Sequence, residues 1–261
     1  MSAALTLSGV GKTFVIHRRG TNLTACRDVS LDVEHGTFVG ITGKSGSGKS
    51  TVLKLVYRTY LPQTGTIVYD SDAYGTIDLA QAEERRVMYL RRHEIGYVSQ
   101  FLHVIPRTTA REIVERACLE RGDGPDTAHE QAQALLAHFE IADELWDSYP
   151  ATFSGGEKLR LNVARAMAMR PRLLLLDEPT ASLDDHSKTR VRELLERLKS
   201  EGTTMLGIFH DLPFMGGLCD KEYTMADGRL SQAVDQKAGN QEAVDQKAAA
   251  RFAGGAGKPA P

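Results

Sequence analysis

The run Gly43-Lys44-Ser45-Gly46-Ser47-Gly48-Lys49-Ser50-Thr51 has the form Gly-x-x-x-x-Gly-Lys-Ser. Glycines at this spacing let the backbone curl so that successive N–H groups face inward around a phosphate. An apolar stretch precedes the run, and residues at helical spacing follow it. A helix starting at Lys49 would add the positive end of its dipole. Lys49 is then expected to reach the β- and γ-phosphates of a nucleoside triphosphate, and the Ser50 hydroxyl to ligate Mg²⁺. Gly43, Ser45, Gly46, Ser47, Gly48 and Thr51 complete the expected cradle.

A second cluster lies downstream. Leu173-Leu174-Leu175-Leu176-Asp177-Glu178-Pro179 reads as a buried parallel strand ending in two acids, because four leucines in succession indicate cover on both sheet faces. Asp177 at the strand end can hold the Mg²⁺ shell, and Glu178 can face the attacking water as general base. A third cluster, Phe153-Ser154-Gly155-Gly156-Glu157, opens a helix carrying the apolar stripe Leu159, Val163, Ala166 and Met167. Ser154 with Glu157 makes a capping box. Capping does not call for two glycines in the first helical turn, where they cost stability. Bare N–H groups aimed at an anion do.

The elements that must position these residues follow from periodicity. Leu5, Leu7 and Val10, then Val29, Leu31 and Val33, mark early strands, and Thr37 to Thr42 forms the strand feeding the glycine-rich loop. Val52, Leu53, Val56 and Tyr60 predict a helix running to Pro62. Further strands are expected at 66–69, 95–98, 173–176 and 205–209. A polar helical stretch between about 108 and 150, broken at Gly122-Asp123-Gly124-Pro125, reads as an inserted helical subdomain. Strands alternating with helices predict a parallel sheet with helices on its faces. The word Ala233-Val234-Asp235-Gln236-Lys237-Ala238 recurs at 243–248 and a Gly/Pro-rich end follows, which reads as a low-complexity tail.

Taken in order, these motifs resemble the nucleotide-binding domain of ATP-binding cassette (ABC) proteins over about residues 4–232. The resemblance implies an α/β P-loop ATPase fold with a parallel-sheet core, an N-terminal antiparallel β subdomain and a helical subdomain at about 101–165. The cassette is expected at 1–232 and the tail at 233–261. The resemblance also implies that Ser154, Gly155 and Gly156 of one chain close over ATP held by the phosphate loop of a second ABC ATPase chain, in a homo- or heterodimer. Gln100 matches the glutamine that links Mg²⁺ and water to the helical subdomain. Ser182-Leu183-Asp184 matches the D-loop, and His210 the switch histidine that contacts the γ-phosphate. Phe14 is the aromatic the resemblance points to for stacking on adenine, with Tyr57 and Tyr60 as chemical alternatives. Phe153 and Glu157 replace the commoner leucine and glutamine, and both changes keep the helix opening.

Within the family, Ser99-Gln100-Phe101-Leu102, Val104-Ile105-Pro106-Arg107, Leu145-Trp146, Thr152 to Glu157, Asn162 to Arg165 and Gly207 to Asp211 look like the PhnL-type subunit of the bacterial carbon–phosphorus lyase system. That implies partnership with phosphonate-pathway subunits, supporting formation of a ribose phosphonate triphosphate from ATP. The alternative is the ATP-binding subunit of an ABC transporter of the lipoprotein- or peptide-export type.

Composition bounds these readings. The 261 residues contain 32 Lys plus Arg against 34 Asp plus Glu, a net charge of −2 that provides no general attraction to nucleic acid. The cluster Arg85, Arg86, Arg91 and Arg92 reads as a solvated helix face or a partner contact. Cys26, Cys118 and Cys219 are too scattered for zinc or a redox pair, as expected of reduced thiols in a cytoplasmic protein. No apolar stretch approaches the ~20 residues of a membrane span, and the first residues lack the pattern of an export signal.

Overall fold

The computed structural model describes residues 3–16, 21–100, 106–180, 183–210, 212–231 and 234–235. The chain begins with two long strands, β1 (Ala3–Ile16) and β2 (Thr21–Glu34), then β3 (Phe38–Thr42) and helix α1 (Lys49–Val56). β4 (Thr64–Ser71), β5 (Gly75–Asp78), α2 (Glu84–His93) and β6 (Ile95–Val98) follow. A helical stretch comprises α3 (Ala110–Arg121), α4 (Pro125–His138) and α5 (Gly155–Ala168). The chain returns to the sheet with β7 (Leu173–Asp177), α6 (Asp185–Ser200), β8 (Thr204–Ile208), β9 (Lys221–Ala226), β10 (Arg229–Leu230) and β11 (Val234–Asp235).

Two sheets result. β2-β1-β4-β5 is antiparallel, and β10-β9-β3-β8-β7-β6 is parallel from β9 through β6. Every residue of β3, β7 and β8 is buried, which is the cover on both faces that the leucine run requires. The period of two splits that run between two cores. Leu173 and Leu175 join α1 and the antiparallel sheet, whereas Leu174 and Leu176 join α3 to α6. The helical stretch thus shares one continuous core with a face of the parallel sheet.

Two predicted bounds shift. α1 stops at Val56 rather than continuing to Pro62, because Arg58 adopts a left-handed φ of 63°. That turn directs its guanidinium to the carbonyls of Leu79 and Ala82. The parallel sheet also continues past 232, since Val234–Asp235 pairs antiparallel with β9. The rest of the 233–261 tail, together with Phe101, Leu102, Val104, Ile105, Ser182 and Asp211, lies outside the described residues. All three cysteines are buried and unpaired. Among the described residues no helix is long and apolar enough to cross a membrane.

Candidate functional site

Parallel strands end on the same edge, so the sheet order fixes which loops meet. The glycine-rich loop follows β3, His210 follows β8, Asp177 and Glu178 end β7, and Gln100 follows β6, along four adjacent strands. This is the C-terminal edge at which open α/β sheets bind ligands. Sequence motifs separated by more than a hundred residues therefore converge by topology alone.

The loop after β3 requires two of its glycines for packing. Gly43 and Gly48 have φ of 140° and 112°, and a Cβ at either would collide with the backbone carbonyl of Met225 or Ala25 respectively. Gly46 differs: a Cβ there would meet nothing within 4 Å, so that side of the loop is open. Gly48 is the N-cap of α1 and no side chain caps the helix. The Thr51 amide turns back to Gly48 O at 3.0 Å, which leaves the Lys49 and Ser50 amides available to an anion. The Lys49 ammonium lies across the loop, donating to the carbonyls of Gly43 at 2.8 Å and Lys44 at 3.0 Å. Burial lowers its pKa, opposed by the nearby carboxylates of Glu178 and Asp177. Ser45 is exposed, Ser50 and Thr51 are partly covered, and the Ser47 hydroxyl is buried without a protein partner.

Across the edge, Asp177 is 8% exposed and accepts a 2.6 Å hydrogen bond on Oδ2 from the Tyr97 hydroxyl. Burial first, and then the Asp177 carboxylate, push the Tyr97 phenol's pKa upward. Glu178 occupies left-handed backbone at φ 53°, an uncommon conformation for a non-glycine residue. Its carboxylate pairs with His210 Nε2 at 2.7 Å. The predicted base and the predicted γ-phosphate contact thus share one hydrogen bond. Gln100 is exposed at the end of the same edge.

The Ser154 cluster lies at the start of α5, next to α6. Ser154 Oγ accepts from Glu157 N at 3.3 Å and Glu157 Oε2 accepts from Ser154 N at 2.7 Å, completing the predicted capping box. The Ser154 backbone N–H is the main cause holding the Glu157 carboxyl below its ordinary value. Gly155 is exposed. Gly156 packs so closely that a Cβ would come within 3.1 Å of Ser187 Oγ on α6. Asp184 of the predicted D-loop caps α6 by accepting from Ser187 N at 2.7 Å. Phe14 lies in β1, with its ring edge-on to Tyr60 at 5.0 Å and the Lys12 ammonium 5.3 Å from its centre. Tyr57 packs instead on Tyr97.

Two residues were not predicted. Tyr97 is one; the other is Asn162, 1% exposed in α5, which donates from Nδ2 to Ser99 O at 3.0 Å and so ties the helix to the residue before Gln100. A polar residue inside the buried run Leu161 to Ala164 is the signal that could have found it. Of the four arginines read as a solvated helix face or a partner contact, Arg91 packs inward on its own chain. Its guanidinium lies over the Tyr57 ring at 4.7 Å and donates to Tyr57 O at 2.7 Å. With Arg116, Arg165 and Tyr97 it lines a cleft of about 410 Å³ between α2, β6, α3 and α5.

The residues at the edge fit Mg²⁺ and a nucleoside triphosphate. The donors are hard oxygens suited to Mg²⁺, namely the Ser50 hydroxyl, the Asp177 carboxylate and the Gln100 amide. An uncapped helix N-terminus and a buried lysine suit phosphate groups.

Comparison with known proteins gives a consistent result. The ABC transporter family model matches residues 26–181. The lipoprotein-releasing system ATP-binding protein LolD of Bordetella pertussis is 37% identical over 204 residues, covering 78% of this chain and 85% of that protein. The L-cystine transport system ATP-binding protein TcyN of Escherichia coli is 33% identical over 216 residues, with 82% and 86% covered. Among solved structures, the ATP-binding cassette MJ0796, a dimer in a post-hydrolysis state bound to ADP and Pi, superposes with a TM-score of 0.79. It is 28% identical, with 88% of this chain and 98% of that chain covered.

Proposed function

The chain belongs to the ABC transporter family of ATP-binding cassettes and is an ATPase that uses ATP with Mg²⁺; from that premise we propose that it energises a transporter by working against a membrane permease from the cytoplasmic side. The observation that carries this reading is the convergence of Lys49, Asp177, Glu178 and His210 on one sheet edge, in a chain 37% identical to a lipoprotein-releasing ATP-binding protein.

Each residue has a role in this reading. Amides of the 43–50 loop and Lys49 bind the β- and γ-phosphates. Ser50, Asp177 and Gln100 hold Mg²⁺, which when bound offsets phosphate charge and orients the leaving group. Glu178 accepts a proton from the water that attacks the γ-phosphate in line. His210 donates Nε2–H to that carboxylate and orients it, and turning the same N–H to the γ-phosphate would exchange one acceptor for the other. Phe14 stacks on adenine. Ser154, Gly155 and Gly156 act from a second ABC ATPase chain, identical or related, across a head-to-tail interface. The dimeric MJ0796 cassette supports this arrangement.

A second reading places the chain with the phosphonate carbon–phosphorus lyase subunits. It rests on the sequence words given above, including Phe209 before the switch histidine. Phe209 is fully buried between the rings of Phe38 at 5.9 Å and Phe214 at 5.8 Å. The transporter reading leads because the relatives described above are transport subunits. Affinity purification in mild detergent separates the two: a co-purifying permease that stimulates ATP turnover is expected. Recovery of soluble phosphonate-pathway subunits with no permease would overturn the transporter reading.

A further inference from the structure

We propose that Tyr97 is a positioning residue for Asp177, holding one oxygen of the metal-binding carboxylate so that the other is presented to Mg²⁺. The inference rests on the reading of Asp177 as a metal-holding group. Tyr97 lies on β6 opposite Leu175 of β7, and its hydroxyl reaches along the neighbouring strand to Asp177 Oδ2 at 2.6 Å. Asp177 is itself buried, so the phenol is a substantial part of what this carboxylate meets on that side.

The hydroxyl is a fixed point because its ring is braced. Tyr57 packs against Tyr97 with ring centres 4.8 Å apart, and the Arg91 guanidinium covers Tyr57 while its Nε donates to the Tyr57 carbonyl. Tyr57 is the C-cap of α1, the helix whose first residue is Lys49. The brace therefore runs from the end of the phosphate-loop helix to the carboxylate across the edge. The position of Asp177 is thereby referenced to the element that holds the phosphates, independently of the β7 backbone. With Oδ2 engaged by the phenol, Oδ1 remains for the metal. Partners of this outer kind orient a metal ligand, and their removal typically costs 10- to 100-fold in metal affinity.

The test uses the full chain, Mn²⁺ as the probe and a non-hydrolysable ATP analogue. Tyr97→Phe keeps the ring packing and removes only the hydroxyl. Mn²⁺ affinity of the analogue complex, read by electron paramagnetic resonance, should weaken about tenfold. Binding of the analogue in the presence of a chelator, read by calorimetry, should stay as in the parent chain. Unchanged Mn²⁺ affinity in Tyr97→Phe overturns the inference, and so does an equal loss of metal-free analogue binding, which would mean general damage to the site. Asp177→Asn separates the premise from the inference. If that variant also binds Mn²⁺ like the parent chain, the reading of Asp177 as a metal ligand fails.

Discussion

Truncating Asn162 tests how the helical layer is tied to the nucleotide edge. Its side chain donates to Ser99 O at 3.0 Å and accepts from Arg165 Nη2 at 3.3 Å while almost fully buried. Asn162→Ala removes both bonds and leaves a small gap inside α5. At about 1 kcal/mol net per bond, and somewhat more for the bond to a charged donor, the loss is about 2 kcal/mol. The better helix propensity of alanine returns only a few tenths of that. For a domain of this size, about 2–4 °C per kcal/mol lowers the melting temperature by about 4–8 °C.

The functional effect should be asymmetric. The phosphate loop lies after β3, away from this bond, so ATP affinity should hold within about twofold, equivalent to some 0.4 kcal/mol. In the proposed mechanism turnover depends on Gln100, next to Ser99, keeping register with the helix that carries Ser154. A loss of about 1.4 kcal/mol in transition-state stabilisation would slow it tenfold. Thermal unfolding by circular dichroism, calorimetry with ATP and steady-state phosphate release measure the three quantities. A normal melting temperature with normal turnover would refute the strut argument. A lowered melting temperature with normal turnover would confine Asn162 to a packing role.

Other expectations are more direct. Glu178→Gln should bind ATP but turn over about 10²- to 10⁴-fold more slowly, accumulating as an ATP-bound dimer on size exclusion; parent-level phosphate release would remove Glu178 as the base. Gly48→Ala should abolish ATP binding in calorimetry, because the new Cβ meets the Ala25 carbonyl at a φ of 112°. Gly46→Ala, at φ 79° in open space, should cost about 1–2 kcal/mol in chemical unfolding and leave the fold intact. Equal damage from the two glycine variants would refute the packing account of the loop.

Elements whose cause is local were legible in the sequence. The capping box at Ser154 and Glu157, the break at Gly122 to Pro125 and the strand Ile95–Val98 occur where spacing predicts them. The leucine run correctly implied two covered faces but could not reveal that its alternate members belong to different cores. α1 ends earlier than its apolar periodicity predicts because Arg58 turns to satisfy carbonyls more than twenty residues ahead, a tertiary effect that outweighs that periodicity. Tyr97–Asp177 and Asn162–Ser99 span 80 and 63 residues, so only sheet order and helix placement bring them together. Arg91 reads as surface charge until Tyr57 is placed beneath it.

The Ser154 capping box has a consequence for how a dimer would reopen. In the single chain the serine hydroxyl already accepts from Glu157 N, and Glu157 already covers the Ser154 amide. A phosphate arriving from a second chain would meet two kinds of amide: those of Ser154 and Glu157, which the capping box already serves, and those of Gly155 and Gly156, which no side chain caps. The difference between closed and open is then smaller than a tally of the new contacts suggests. Loss of the γ-phosphate would return the Ser154 and Glu157 amides to partners that the helix end carries with it. A cassette that opens and closes in the proposed way would gain from a grip that is partly satisfied when released.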